Sequence, residues 1–240
     1  MKELLKKITP NYIKRAYRKY VNSSTFAGKS TKATFTEIYN KDHWKGANSI
    51  SGTGSDHGQT KTVVTILDSL ITELSIKSIL DVPCGDFNWM KEVNLEGVDY
   101  IGGDIVADLI RSNLENFTSS NIQFKELDLL SDDLPLSDLI LVRDCLVHLS
   151  YDNIYKAIQN VKRSGSKYLL TTTFPEHSKN IDIVTGDWRT LNLQAEPFNF
   201  SQPLKVFNEN CTEGKGEYSD KSLALYLLDD IILPQTSFAS

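Results

Sequence analysis

The sequence predicts an α/β fold in which a mostly parallel sheet of seven strands has helices on both faces and an antiparallel strand pair at its C-terminal end. The 240 residues are 40% hydrophobic and 24% charged with a net charge of −5, a composition typical of globular domains with one sizeable core. Between residues 78 and 173, short apolar runs alternate with segments of helical periodicity. Beyond Pro175, two more strand candidates follow without a helix between them.

Each helix and strand is predicted from the spacing of its hydrophobic residues. A helix is predicted where apolar side chains recur at three- and four-residue intervals over residues 63–75, after a shorter helical stretch at 36–39. The predicted strands span residues 78–82, 100–103, 122–127, 139–143 and 167–173, and the predicted helices between them span 87–93, 107–117 and 151–163. Helical crossovers of this length indicate parallel strands. Residues 204–208 and 222–228, joined by a polar link, are expected to form an antiparallel pair at the sheet edge.

The first 21 residues predict a basic amphipathic helix. Residues 1–20 hold seven Lys or Arg and one Glu, and their apolar side chains fall on one stripe that Pro10 interrupts. Such a helix suits the surface of an anionic membrane, although it suits packing on the domain equally well. The rest of the chain is strongly acidic, which disfavours nucleic acid as a partner.

Residues 22–58 read as a linker followed by a Gly/Ser-rich, lid-like loop, and residues 59–240 as the ligand-binding domain. Cys84, Cys145 and Cys211 show no metal-ligand or disulfide spacing, and the histidines have none either, so no metal is expected. We expect a cytoplasmic protein, since no stretch has the length of an apolar span or the pattern of a signal peptide. The basic helix would allow peripheral contact with the inner face of the membrane.

Carboxylates follow three consecutive predicted strands. In an open parallel sheet the ligand crevice lies beyond the carboxyl ends of the strands. Asp81 ends the first strand, where Gly85 lets a ligand approach the backbone, and Asp104 follows the second strand 19 residues after Gly85, near the spacing at which an acid binds ribose hydroxyls. Asp128, with the apolar Leu129 beside it, follows the third strand and suits an adenine ring. The pattern favours a nucleoside over a pyrophosphate, because the loop lacks the three glycines of a dinucleotide site.

On these residues the chain resembles the class I S-adenosylmethionine-dependent methyltransferases, whose fold is Rossmann-like. Residues 78–86, SILDVPCGD, resemble the first motif of that family, with Pro83 and Phe87 in place of the outer glycines. The resemblance covers roughly residues 60–230 and implies S-adenosylmethionine as cofactor. It implies a cofactor-binding set of Asp81, Pro83, Cys84, Gly85, Asp86, Asp104, Asp128, Leu129 and Arg143. More narrowly, DxPCGDFxWM and the later GDWRxLNL resemble methyltransferases of bacterial glycan and polysaccharide assembly.

The segment after the fourth strand is where this family places the methyl acceptor. His148 is the leading candidate for a base that takes a proton from a sugar hydroxyl, with Asp144 as its orienting group or an alternative base. Trp188 and Arg189, in the long loop after the fifth strand, are candidates for acceptor binding. Each could instead be structural: Asp144 a local cap, His148 a space filler, Trp188 a loop anchor. Asp86 could equally cap the helix that follows it.

The Gly/Ser loop at residues 51–58 has two interpretations, a flexible connector or a lid whose amides receive the cofactor's carboxylate. The function predicted overall is O-methylation of a glycan or glycolipid precursor. Methylation of a small molecule or a protein is an alternative. A non-catalytic binding module with the same fold is another, and a nicotinamide-dependent oxidoreductase is disfavoured by the missing glycines.

Overall fold

A computed structural model describes residues 25–233 of the chain. Its core is one seven-stranded sheet with the order β3-β2-β1-β4-β5-β7-β6. The strands are β1 Ser78–Asp81, β2 Asp99–Asp104, β3 Ile122–Glu126, β4 Leu139–Val142, β5 Tyr168–Thr173, β6 Lys205–Asn208 and β7 Ser222–Leu227. The first five are parallel, whereas β7 lies antiparallel to both β5 and β6. The predicted fold class and the antiparallel edge pair are confirmed; the helix predicted for residues 1–21 lies outside the described residues.

Four α-helices lie wholly within the described residues: α1 Thr31–Asn40, α2 His57–Glu73, α3 Ala107–Phe117 and α4 Tyr151–Arg163. The bounds of α3 and α4 are those predicted, because each combines an amphipathic stripe with a clear stop; in α4 the Ser150 hydroxyl also caps the first turn by accepting from the Asn153 N–H. Helix α1 begins inside the stretch read as a linker, and α2 begins at His57 rather than at residue 63. Both starts are polar turns, which carry little hydrophobic signal.

The helix predicted over residues 87–93 is wrong: only one 3-10 turn, Met90–Glu92, forms there. Phe87 has a φ of 55°, in the left-handed region that interrupts a right-handed helix. The apolar residues of this segment are nevertheless buried, and Phe87 packs at 5.3 Å between ring centroids against Tyr100. The apolar spacing of residues 87–93 therefore reflects burial of a loop and does not indicate a helix.

Both faces of the sheet are covered. All four residues of β4 are buried, and successive side chains point to opposite faces. Ile140 and Val142 join the core beneath α4, while Leu139 and Leu141 join the core beneath α2. A strand buried on both faces reads as a continuous apolar run, which is why β4 was recognisable from sequence.

The register of the sheet brings the ends of its central strands to one edge. Asp81, the last residue of β1, pairs with Gly102 of β2 and Leu141 of β4. Asp104 ends β2 two residues beyond Gly102, and Asp144 follows β4 with a φ of 50°. The functional groups expected from sequence are thus carried to the same end of the sheet. Within residues 25–233, no helix is long and apolar enough to cross a membrane.

Candidate functional site

A cavity of about 880 Å³ lies beyond the carboxyl ends of β1, β2 and β4. Twelve of the thirteen residues predicted for the site line it, and they are Asp81, Pro83, Cys84, Gly85, Asp86, Asp104, Asp128, Leu129, Arg143, Asp144, His148 and Trp188. The remaining one, Arg189, does not. The volume is within the range of small-molecule sites.

Asp81 and Asp104 are two buried carboxylates of this cavity, with 2% and 7% of their surface exposed. The Tyr100 hydroxyl donates to Asp81 Oδ2 at 2.7 Å. Burial raises the pKa of Asp81 to about 7; the Tyr100 hydrogen bond opposes this shift and the charge of Asp104 adds to it. Burial likewise raises the pKa of Asp104 to about 6, against backbone N–H donors that favour its ionised form. Two poorly solvated carboxylates on one wall would be stabilised by a cationic or hydroxyl-rich ligand.

The turn after β1 brings backbone close to these acids. Gly85 has a φ of 57°, and a Cβ at this position would lie 2.4 Å from Ser51 Oγ, so glycine is required on both counts. The Gly85 N–H donates to Asp104 Oδ2 at 3.2 Å, and Cys84 N–H donates to Gly103 O at 2.8 Å. The turn is therefore fixed to the end of β2, with its backbone at the cavity wall.

Asp128 and Leu129 form the third part of that wall. Asp128 Oδ1 accepts from the Leu130 N–H at 2.9 Å, a local turn that leaves the other carboxylate oxygen toward ligand or solvent. Leu129 is buried, and its carbonyl accepts from Asn160 Nδ2 of α4 at 2.9 Å. The pair thus presents one polar and one apolar side chain on a fixed backbone.

Two carboxylates hold the segment that contains the Gly/Ser loop: Asp56, within the loop, and Asp86, in the turn after β1. Asp56 accepts from the backbone N–H groups of Ala47, Asn48 and Ser49 at 2.9, 2.7 and 3.1 Å. Burial would raise the pKa of Asp56, but these donors lower it overall. Asp86 accepts from Ser49 Oγ and from the Ile50 N–H at 2.8 Å. Asp86, expected as a cofactor ligand or a helix cap, therefore anchors this loop, and the loop is a wall of the cavity rather than a loose connector.

A buried ion-pair network forms the other side of the cavity, and sequence reasoning missed most of it. The Arg143 guanidinium donates to Glu209 Oε2 at 2.7 Å and to the Gly54 carbonyl at 2.9 Å. Lys221 Nζ lies 2.6 Å from Asp144 Oδ2 and 3.7 Å from Glu209 Oε2. Arg143, predicted to bind cofactor, uses its Nη2 donors within the protein, and its Nη1 lies 3.5 Å from Asp144 Oδ2. Glu209 and Lys221 gave no signal, because they are separated from their partners by 66 and 77 residues.

This network sets the charges around Asp144. Burial would raise the pKa of Asp144, but Lys221 and Arg143 lower it to about 2, so the carboxylate stays ionised. Burial would lower the pKa of Arg143, yet Glu209 and Asp144 raise it. An ionised Asp144 already paired with a lysine is a poor proton acceptor, so its structural interpretation gains weight over its role as a base.

His148 stands between the network and an aromatic wall. Its Nδ1 lies 2.8 Å from the Asp187 carbonyl oxygen, which can only accept, so Nδ1 carries the proton and Nε2 the lone pair of the neutral ring. The Trp44 indole packs against the imidazole with ring centroids 4.2 Å apart. Burial lowers the pKa of His148 to about 4, although the Asp187 bond and Asp144 oppose the shift. The ring is neutral at physiological pH.

Trp188 and Arg189 have different surroundings although they are adjacent. Trp188 is half-buried at the cavity and packs edge-on against Tyr218, with centroids 4.9 Å apart. The Arg189 side chain is buried and donates to the carbonyls of Leu146 and Leu149 at 2.9 Å each. Both terminal nitrogens of Arg189 thus donate to backbone carbonyls and the residue does not line the cavity, which favours a structural role; its part in acceptor binding stays a prediction.

Comparison with known proteins supports the fold. No protein-family model and no curated protein matches the chain. Among solved structures, human N-acetylserotonin methyltransferase in complex with SAM is similar over 86% of this chain and 61% of its own, with a TM-score of 0.56 and 14% identity. The Burkholderia thailandensis 1,6-didemethyltoxoflavin-N1-methyltransferase, solved with S-adenosylhomocysteine and its substrate, is similar over 81% of this chain and 84% of its own, with a TM-score of 0.58 and 13% identity.

The N-methyltransferase NodS from Bradyrhizobium japonicum is also similar, over 72% of this chain and 97% of its own, with a TM-score of 0.52 and 17% identity. The chain spans only 61% of the length of the human enzyme. At these identities the likeness concerns the fold: this chain has the Rossmann-like fold found in S-adenosylmethionine-dependent methyltransferases.

Proposed function

We propose that this protein is an S-adenosylmethionine-dependent methyltransferase. The observation that carries the proposal is the pair of buried carboxylates, Asp81 and Asp104, on one wall of a cavity at the carboxyl ends of the strands. The position is the ligand crevice expected of an open α/β sheet. Ionised carboxylates kept from water are stabilised by a cationic ligand, and the sulfonium of S-adenosylmethionine is cationic.

The residues present fit this cofactor. Asp104 would accept from the ribose hydroxyls, Asp128 and Leu129 would hold the adenine ring, and the Gly85 turn would leave space for the ligand beside the backbone. Asp81 would face the positive charge. When bound, the cofactor supplies a methyl group on an electrophilic sulfur.

For the acceptor, we infer a hydroxyl on a sugar-like or other compact ring, in a glycan or glycolipid precursor. Trp44, Trp188 and Tyr218 line the cavity with aromatic faces, which suit the apolar face of a ring. The hydroxyl oxygen would form the bond to the methyl carbon as the bond from that carbon to sulfur breaks, leaving S-adenosylhomocysteine, and the hydroxyl proton would pass to Nε2 of His148. With a pKa of about 4 the imidazole is a weak base, so orientation of the acceptor contributes more than proton transfer.

A small-molecule acceptor is the second candidate. Helix α1 and residues 41–58 contribute much of the cavity lining, including Phe35 and Trp44, and such walls favour compact ligands. The basic segment at residues 1–20 supports the lipid-linked precursor instead, since it suits an anionic membrane face.

Two measurements test the proposal. Calorimetry compares S-adenosylhomocysteine with NAD; micromolar binding of NAD alone would overturn the cofactor assignment. Candidate sugars, glycolipids and small molecules are then incubated with isotopically labelled S-adenosylmethionine and followed by mass shift. Trp44→Ala is expected to raise the KM of the acceptor about tenfold with little change in cofactor affinity, since an aromatic contact is worth about 1 kcal/mol or more.

A further inference from the structure

Arg189 is buried to 3% exposure without a carboxylate partner among residues 25–233. Its Nη1 donates to the Leu146 carbonyl and its Nη2 to the Leu149 carbonyl, both at 2.9 Å. The Tyr151 ring centroid lies 5.8 Å from the guanidinium carbon. A buried cation is costly, and neutral donors could satisfy two carbonyls. The burial of Arg189 therefore indicates a role other than stabilising the fold.

The carbonyls that Arg189 holds belong to the turn that ends in His148. The 3-10 turn Leu146–His148 and Leu149 present four consecutive carbonyl groups. Arg189 N–H donates to Val147 O at 3.1 Å, and Gly186 N–H donates to His148 O at 2.9 Å. All four carbonyls are therefore held by residues 186–189, two of them through the guanidinium.

We propose that Arg189 is a positioning residue that fixes His148 against the Asp187 carbonyl, so that Nδ1 keeps the proton and Nε2 remains the acceptor. The proposal rests on the proposed function, in which Nε2 receives the proton of the acceptor hydroxyl. Arginine reaches the two carbonyls from two different nitrogens, Nη1 and Nη2, in a rigid planar group, whereas a lysine would hold both through one flexible ammonium. The charged groups that face His148 are Asp144 after β4 and Asp187 and Arg189 from the long loop. Of these, Arg189 disfavours the imidazolium form.

The test reads the imidazole directly. Ring-nitrogen NMR at pH 7 compares the wild-type chain with Arg189→Lys, Arg189→Met and the control Arg111→Lys, which changes an arginine that is 69% exposed. The wild type and the control are expected to show one tautomer of His148, protonated at Nδ1. Both Arg189 variants are expected to populate two tautomers, because the imidazole is no longer held against the Asp187 carbonyl. Folded Arg189 variants that keep the single wild-type tautomer would overturn the proposal.

Kinetics supply the second readout. A displaced base is expected to lower kcat by about 10- to 100-fold, with the KM for S-adenosylmethionine and the affinity for S-adenosylhomocysteine within twofold of wild type. A merely structural role would move all of these together. If the chain transfers no methyl group, the proposed function fails, and the NMR result still decides the role of Arg189. If neither variant folds, the wild-type spectrum decides: two tautomers, or an imidazolium at pH 7, would refute the inference.

Discussion

Replacing Asp81 with asparagine tests the electrostatic argument on which the site depends. Asp81 is 2% exposed, and burial raises its pKa to about 7 from an ordinary value of 3.8. A carboxyl group whose pKa is raised in the folded state does not lower the free energy of unfolding at pH values below its unfolded pKa. As the pH rises from there toward the folded pKa, the free energy of unfolding falls progressively. With 1.36 kcal/mol for each unit, the full cost at pH 8 is about 4 kcal/mol.

Asparagine removes the charge and retains an oxygen for the Tyr100 hydroxyl, which donates at 2.7 Å. We expect Asp81→Asn to exceed the wild type in free energy of unfolding by roughly 2–4 kcal/mol at pH 8, and the difference to vanish near pH 4. Urea unfolding at pH 4, 6 and 8 measures this, with the exposed Asp99→Asn as control. A gap below about 1 kcal/mol at pH 8, or one that does not vary with pH, would refute the reasoning.

The same substitution is expected to weaken binding of the cationic cofactor. A unit charge several ångströms away at an effective dielectric of about 20 contributes on the order of 1–2 kcal/mol. S-adenosylmethionine should therefore lose about tenfold more affinity than S-adenosylhomocysteine, whose sulfur is uncharged. Calorimetry with both ligands at pH 8 decides this, and equal losses would place Asp81 away from the sulfonium.

Three further predictions concern the rest of the site. Asp104→Asn should weaken S-adenosylmethionine and S-adenosylhomocysteine equally, by about 10- to 100-fold in calorimetry, because a charge-assisted hydrogen bond to the ribose contributes roughly 1.5–3 kcal/mol; unequal losses would contradict that role. Glu209→Gln should lower the free energy of urea unfolding by about 3–5 kcal/mol, since it leaves Arg143 without its buried carboxylate. A Glu115→Gln control, on an exposed side chain, should change little. Affinity for S-adenosylmethionine should fall as pH drops from 8 to 6, as Asp81 and Asp104 protonate, and His148→Asn should leave this profile unchanged because the imidazole pKa is about 4.

Sequence reasoning located the features that depend on local pattern. Helices α3 and α4 could be bounded because their amphipathic stripes end at clear breaks. The proximity of Asp81 and Asp104 could be predicted because the carboxyl ends of parallel strands lie at one edge of the sheet. Each carboxylate stands at the end of its own predicted strand. Residues 87–93 were misread because a buried loop and a short helix can share the same apolar spacing.

The features that sequence could not supply are contacts between distant segments. Glu209 and Lys221 lie in or beside predicted edge strands, and nothing local indicated that they would be buried with Arg143 and Asp144. Arg189 was assigned to the acceptor because an arginine in a loop is usually available to ligands. Its use inside the protein became visible only when the carbonyls at residues 146–149 were located.

The two sides of the cavity are held in different ways, one by the pairing of neighbouring strands and the other by contacts between segments distant in sequence. The carboxylates of β1 and β2 lie on the central strands of the sheet, where the pairing partners on both sides fix them. On the opposite side of the cavity, Arg143 donates hydrogen bonds both to the Gly54 carbonyl, in the Gly/Ser loop, and to Glu209, which follows β6. The side of the cavity that we propose binds the acceptor therefore depends on segments more than 150 residues apart, as the Gln59–Thr212 hydrogen bond also shows. Substitutions near Gly54 or Glu209 should change which acceptor the protein binds, while the wall formed by Asp81 and Asp104 stays intact. This is the arrangement expected if the same fold is used for many different acceptors.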